Sequence, residues 1–239
     1  MKAIIAGVTG LVGGAMLKQC INHPELASSE KVQVVIRHDF SQYLDELMEK
    51  LAGAEACLWY ASRLCGSAVS PVGQCLRSIG GTVRMLGGDV AYSHKVNVDF
   101  ALAAARAFAS KLTPLTPNKR FRFVYCSGLM AQRNVEKPMW TTPDSRRQKG
   151  LAENGLMELA KQFAGFEPHV AQPGKILPEN AGLLQSTTQW LLPALSINVV
   201  EVPACMVDLA WVGSDTFVRN ATLAEQGRKL LTEWQRQEK

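Results

Sequence analysis

The sequence predicts an α/β protein built on a doubly wound parallel sheet, and three observations predict it. The first is the opening stretch AIIAGVTGLVGGAM (residues 3–16). An apolar run there leads into Gly7-x-x-Gly10-x-x-Gly13 and then into a helical pattern. The second is the alternation of short β-prone runs with helical patterns along the rest of the chain. The third is length: 239 residues are enough for one full α/β core and too few for two comfortable ones. Neither an internal repeat nor a linker divides the sequence, so residues 1–239 are expected to form one domain.

Taken in order, residues 2–7 read as a buried strand. Val12, Ala15, Met16 and Cys20 follow at helical spacing. VQVVIR (32–37) reads as a second strand, SQYLDELMEKLAG (41–53) as a helix stopped by Gly53, and EACLWYAS (55–62) as a third strand. Residues 63–89 hold six glycines and one proline with no clear period. They are expected to form a long irregular insertion, uncommon inside a compact domain unless functional or disordered. A helix is expected over about 93–110, with Val98, Ala101, Leu102, Ala105 and Ala109 on one face, and RFRFVYCSG (120–128) reads as a strand. Thr142 is placed to cap the next helix, Pro143 suits its first turn, and Asp144 suits the helix dipole. Ala152, Gly155, Leu156, Leu159, Ala160 and Phe163 form its apolar stripe. PHVAQPG (168–174) reads as a short strand, and 204–212 and 221–237 as helices. Residues 168–239 are expected to make the substrate side.

Apolar content of 47% with 20% charged residues is ordinary for a soluble globular protein. The net charge of +5 is mild but uneven, because residues 106–149 hold ten Lys or Arg against two acidic residues, a net +8. That excess reads as a solvated basic face beside an anionic cofactor. No aromatic-rich motif accompanies it, so it does not point to nucleic acid. Six cysteines form no C-x-x-C pair and no metal-ligand spacing; Cys20, Cys57 and Cys126 read as small buried hydrophobes of a reducing compartment. No signal peptide and no transmembrane stretch is recognised, and the expected location is the cytoplasm.

The chemistry starts at the glycine loop. Gly7 permits a tight turn, Gly10 lets backbone N–H groups approach a pyrophosphate, and Gly13 lets the helix pack closely on the strand. Strand, loop and helix in that order are the context that makes the motif a dinucleotide site. Arg37, thirty residues after Gly7 at the end of a predicted strand, is placed to hold an NADP 2′-phosphate. Two other readings stay open: a plain surface arginine, and HDF (38–40) packed beside the adenine.

These stretches resemble the atypical short-chain dehydrogenase/reductase superfamily, in particular its NmrA-like, Tat-interacting-protein-like and sugar-nucleotide-epimerase-like branch common in filamentous fungi. The resemblance rests on GVTGLVGG (7–14), HDFSQY (38–43), LAGAEACLWYAS (51–62), KVNVDFALAAARAFA (95–109), FRFVYCSG (121–128), KGLAE (149–153), PGKILP (173–178) and NATLAEQGRKLL (220–231). It implies a Rossmann-like NAD(P)-binding domain, NADP with NAD as alternative, acting on a small organic molecule in secondary metabolism. It implies cofactor contacts from Gly7, Thr9, Gly10, Leu11, Val12, Gly13, Arg37, Asp39, Phe40, Ala61, Ser62, Lys149 and Pro173. Ser127 and Lys149 take the catalytic places, Ser127 to hydrogen-bond a substrate carbonyl unless it only satisfies a local turn.

The sequence departs from that pattern three times. HDF follows the first helix almost directly, so one strand and its loop are missing between about Pro24 and Lys31. Residues 63–89 have no counterpart, and a substrate lid and foreign sequence are both compatible with them. Ser145 stands where Tyr-x-x-x-Lys needs its tyrosine, and it reads as a first-turn residue, because a serine hydroxyl is far less acidic than a phenol and its side chain is shorter. Tyr125 reads as core; Tyr92 and His94 are the remaining proton-donor candidates. Two rivals to a reductase follow: a non-redox isomerase or cyclase on the same fold, and a catalytically silent NAD(P)-sensing regulatory protein.

Overall fold

A computed structural model describes residues 1–22, 32–37, 39–60, 82–134, 136–138, 141–179 and 195–237. The chain runs β1 (Lys2–Ala6), α1 (Leu11–Asn22), α2 (Asp45–Leu51), β2 (Ala54–Tyr60), α3 (Val90–His94), a π-helical stretch (Lys95–Asp99), α4 (Phe100–Lys111), β3 (Phe121–Cys126) and α5 (Pro143–Gln162). It continues through β4 (Phe166–Gln172), β5 (Lys175–Leu177), β6 (Ser196–Asn198), α6 (Glu201–Trp211), β7 (Phe217–Arg219) and α7 (Asn220–Gln237). The main sheet has the order β1-β2-β3-β4-β7, with every pair parallel. β5 and β6 form a separate parallel pair.

Period-two alternation along the central strands divides the core into two layers. Cys57, Trp59, Phe121, Phe123 and Tyr125 pack with α4 and α5, whereas Leu58, Tyr60, Val124 and Cys126 pack with α1, α6 and α7. Helices therefore cover both faces, as expected of a doubly wound sheet whose strands are apolar on both sides. The predicted helical stripes are the buried ones: Val12 and Met16 on α1; Ala101, Ala105 and Ala109 on α4; Ala152, Leu156 and Leu159 on α5. Phe108 closes the first layer, its ring in contact with those of Tyr43, Phe121 and Phe123. Cys57, Cys126 and Cys205 are buried free thiols, and burial pushes the thiols of Cys126 and Cys205 up to about 12, which makes them inert.

Two expectations need correction. VQVVIR (32–37) is not a strand: no ladder holds it, and Val34 and Ile36 are 76% and 81% exposed. β-propensity is realised only against a partner and a face to bury. Arg37 instead donates to the carbonyls of Asp39 and Gln42, and Phe40 packs on Trp59 and Phe100. That fastens the end of the run to the α4 face rather than to the sheet edge. Among the described residues β1 is consequently the edge strand. Thr142 does not cap α5 with its side chain, because its backbone is left-handed (φ 42°, ψ 51°) rather than extended. The three-residue strands β5, β6 and β7 were too short for periodicity to reveal. Of the 63–89 insertion, residues 63–81 lie outside the described residues; 82–89 carry a 3₁₀ turn at Arg84–Leu86.

His169, on β4, is buried, and its Nδ1 lies 3.3 Å from the Asp215 carbonyl. Burial holds its imidazole below the ordinary value of 6.5, opposed by the Asp215 hydrogen bond and the Glu167 charge. A depressed folded value means that the unfolded chain binds the extra proton first. The stability tied to the neutral ring is therefore fully present above pH 6.5 and is lost as the pH falls through the lower folded value. Urea midpoints measured from pH 8 down to pH 5 are expected to fall more steeply in the native protein than in His169→Gln. No helix among the described residues is long and apolar enough to cross a membrane.

Candidate functional site

Parallel strands deliver their following loops to one edge of the sheet, and open α/β sheets bind ligands outside the carboxyl ends. β1 ends there in the glycine loop. Gly7 has φ +84°, and a Cβ on it would stand 2.2 Å from the Tyr60 carbonyl oxygen. A Cβ on Gly13 would stand 2.1 Å from the Gly7 oxygen, so the first turn of α1 rests directly on the loop. Gly10 N–H donates to the Gly7 carbonyl at 2.9 Å, and the Gly10 carbonyl accepts from Gly14 N–H at 2.8 Å, which turns the chain into the helix. The N–H groups of Leu11, Val12 and Gly13 then open α1 without intrahelical acceptors, and with the positive end of the dipole they are placed to receive an anion. Thr9 is exposed in the turn, while the Val12 side chain is core, leaving its backbone for a ligand. This cradle fits the diphosphate of a dinucleotide.

The ribose-reading side is less complete. Arg37 spends donors on the Asp39 and Gln42 carbonyls and lies over the Tyr43 ring at 5.2 Å. Asp39 is exposed, and its carboxylate accepts from Ser41 N–H and Ser41 Oγ, which lowers it below the usual carboxylate value. Phe40 serves the core. Ala61 and Ser62, directly after β2, lie outside the described residues.

Two strands across from the glycine loop, about 10 Å by strand spacing, Ser127 directly follows the end of β3. Its N–H donates to the Ala171 carbonyl at 2.8 Å, and its buried Oγ donates to Glu153 Oε1 at 2.5 Å. Glu153, fully buried on α5, also receives Gln172 Nε2–H on Oε1 at 2.9 Å, and the Arg133 guanidinium stands 3.7 Å from its Oε2. Arg133 lies over the Phe217 ring at 4.4 Å. One turn before Glu153, Lys149 Nζ donates to the Cys126 carbonyl at 3.1 Å and lies 5.2 Å from the centre of the Tyr125 ring. Burial holds the Lys149 ammonium below the usual lysine value; the charge of Glu153 opposes this. Pro173, buried after β4, accepts from Leu129 N–H at 2.8 Å.

Ser127, Lys149 and Pro173 thus share one edge with the glycine loop, and Glu153 joins them. The motif KGLAE (149–153) assigns no role to its glutamate. The available signal was the four-residue step from Lys149, which puts both on one helix face. Ser145 Oγ accepts from Val83 N–H at 3.0 Å, a backbone-fastening role in the first turn. Tyr125 is fully buried, with Oη 3.4 Å from the Asn97 carbonyl in the π-helical stretch. Tyr92 is exposed, and His94 pairs with Asp99 at 3.4 Å. Within the basic stretch, Arg120 and Arg122 both reach Glu167. They line a groove of about 360 Å³ at the opposite, amino-terminal edge of the sheet.

No protein-family model matches the chain. A curated relative, leucinostatins biosynthesis cluster protein T of Purpureocillium lilacinum, is 30% identical over 141 residues, covering 53% of this chain. The matched part spans 42% of that protein's length, less than half. Among solved structures, a double mutant of dTDP-glucose 4,6-dehydratase from Streptomyces venezuelae, bound to NAD, superposes with a TM-score of 0.61 at 11% identity. It covers 97% of this chain and 80% of its own. UDP-glucose 4-epimerase of Thermotoga maritima, with UDP-glucose, gives 0.59 at 15% identity, covering 97% and 82%. A small-chain dehydrogenase in complex with NADPH gives 0.58 at 16% identity, covering 93% and 98%. The chain has the Rossmann fold that these short-chain-dehydrogenase-like enzymes share.

Proposed function

We propose that this chain is an NAD(P)-dependent oxidoreductase-like protein acting on a small organic molecule in fungal secondary metabolism. The observation that carries the reading is the shared edge: a diphosphate-fitting glycine loop and the Ser127–Glu153–Lys149 cluster open on the same side of one parallel sheet. The relative from a biosynthesis cluster supports the metabolic setting.

In this reading the α1 N-terminus holds the diphosphate, and a bound nicotinamide supplies hydride exchange. Lys149 keeps a cation at the end of β3, where the cofactor ribose is held. Ser127 orients the reacting oxygen. Arg37 favours NADP over NAD with the donor capacity that the Asp39 and Gln42 carbonyls leave to it, and the lack of a strand over 32–37 beyond the edge strand β1 makes the binding weak. The reacting molecule is a small ligand.

Calorimetric titration with NADPH and NADH separately is the test. Binding of NADPH, weaker than is usual for a dehydrogenase and tighter than that of NADH, is expected. Binding of neither sinks the reading, and submicromolar NADH affinity with none for NADPH sinks the cofactor choice. A non-redox isomerase or cyclase is the second reading, favoured by Ser145, whose Oγ is engaged by Val83 and cannot stand in for a phenol. Nucleotide that binds but is turned over neither as NADPH with a ketone and quinone panel nor as NADP with alcohols would favour it.

A further inference from the structure

We infer that the substrate presents a hydroxyl group, not a carbonyl, to Ser127, and that Glu153 takes the proton released from it. This rests on the oxidoreductase reading and adds to it a substrate class and a direction. A serine hydroxyl has one hydrogen to give and two lone pairs. Ser127 gives its hydrogen to Glu153 Oε1 at 2.5 Å, the short end of the range for a hydroxyl on a carboxylate. What it turns to a ligand is therefore an acceptor. A ketone oxygen, itself only an acceptor, finds no donor there, whereas an alcohol O–H finds an acceptor.

The surroundings of Glu153 fix the same polarity. Two donors, Ser127 Oγ–H and Gln172 Nε2–H, converge on Oε1, and a guanidinium stands 3.7 Å from Oε2. That second oxygen is buried and receives no hydrogen bond among the described residues. These are the partners of a carboxylate, and one of its oxygens has acceptor capacity to spare. Arg133 is held in place over Phe217.

The step balances. The alcohol O–H bond breaks and its proton joins Ser127 Oγ, whose own hydrogen passes to Glu153 Oε1. The hydrogen of the carbinol carbon leaves with its electron pair to an oxidised nicotinamide, the oxidant, and a carbonyl product remains. A two-residue relay thereby does at Ser127 and Glu153 what a phenol at position 145 does not.

Infrared spectroscopy tests the polarity without turnover. Difference spectra of native protein against Glu153→Gln, and against Ser127→Ala, are expected to show an ionised carboxylate band at neutral pH that shifts when the serine donor is removed. A protonated-acid band in its place overturns the inference, because the acid would then donate to Ser127.

The second measurement is oxidation of propan-2-ol, cyclohexanol and 1-phenylethanol with NADP and with NAD. Glu153→Gln is expected to lose about a hundredfold to ten-thousandfold in kcat with the nucleotide Kd unchanged, and Glu153→Asp to recover part of the loss. A loss of less than about tenfold overturns the relay. Native protein that binds nucleotide yet oxidises no alcohol overturns the substrate class. Failure to bind nucleotide instead removes the oxidoreductase reading and leaves the infrared result standing by itself.

Discussion

Gly13→Val is expected to abolish nucleotide binding and to lower the thermal midpoint in the same protein. A Cβ at residue 13 would meet three backbone atoms, the Gly7 oxygen at 2.1 Å, the Gly7 carbon at 2.6 Å and Val8 Cα at 3.0 Å. None of these is the yielding end of a long side chain. Either α1 backs away from the sheet or the loop moves, and both displace the N–H groups of Leu11, Val12 and Gly13 from a common anion position. Overpacking of this kind costs about 1–3 kcal/mol and occasionally more. Each kcal/mol lowers the midpoint of a domain of this size by about 2–4 °C. Gly14→Ala is the control, since its Cβ meets only the Val8 oxygen, at 3.3 Å. Loss of binding in both variants, or in neither, would show that the cradle is not the nucleotide site.

The part of the fold legible in the sequence is the part that local periodicity dictates. Phe121, Phe123 and Tyr125 alternate with Val124 and Cys126, and each set packs where a buried strand must send it. The α4 and α5 stripes were legible because a wide apolar face recurs at helical spacing. VQVVIR failed for the complementary reason. Its residues favour a strand, but a strand also needs a neighbour, and Arg37 and Phe40 draw the segment to another face. The glycine loop and Ser127 were readable from motif and strand end. Glu153 was not, because a lone glutamate in a helix of mixed polarity looks like solvent-facing charge. Its burial is set by Ser127, 26 residues away, and Gln172, 19 away, which only the sheet register brings to it.

Gly150 separates local from tertiary reasoning by the sign of one number. A glycine inside a helix is destabilising by about 0.5–1 kcal/mol relative to alanine, so propensity alone expects Gly150→Ala to stabilise α5. The structure expects the reverse. A Cβ there would lie 2.0 Å from the Gln132 oxygen, 2.2 Å from its carbon and 2.6 Å from the Arg133 nitrogen. The 130–134 stretch cannot simply step aside, because it is fastened to α5 on both sides of Gly150. Arg146 Nε donates to Met130, Gln132 N–H donates to Arg146, and Asn154 Nδ2 donates to Arg133. The methyl must break some of these bonds and draw Arg133 away from Glu153, leaving a buried carboxylate without its guanidinium. Gly150→Ala is therefore expected to lose about 1–3 kcal/mol and to speed amide exchange across 130–134. It should leave the glycine loop, and with it nucleotide binding, intact. A raised midpoint with unchanged exchange would show that the close approach at Gly150 yields, and that Arg133 is not held at Glu153 by this contact.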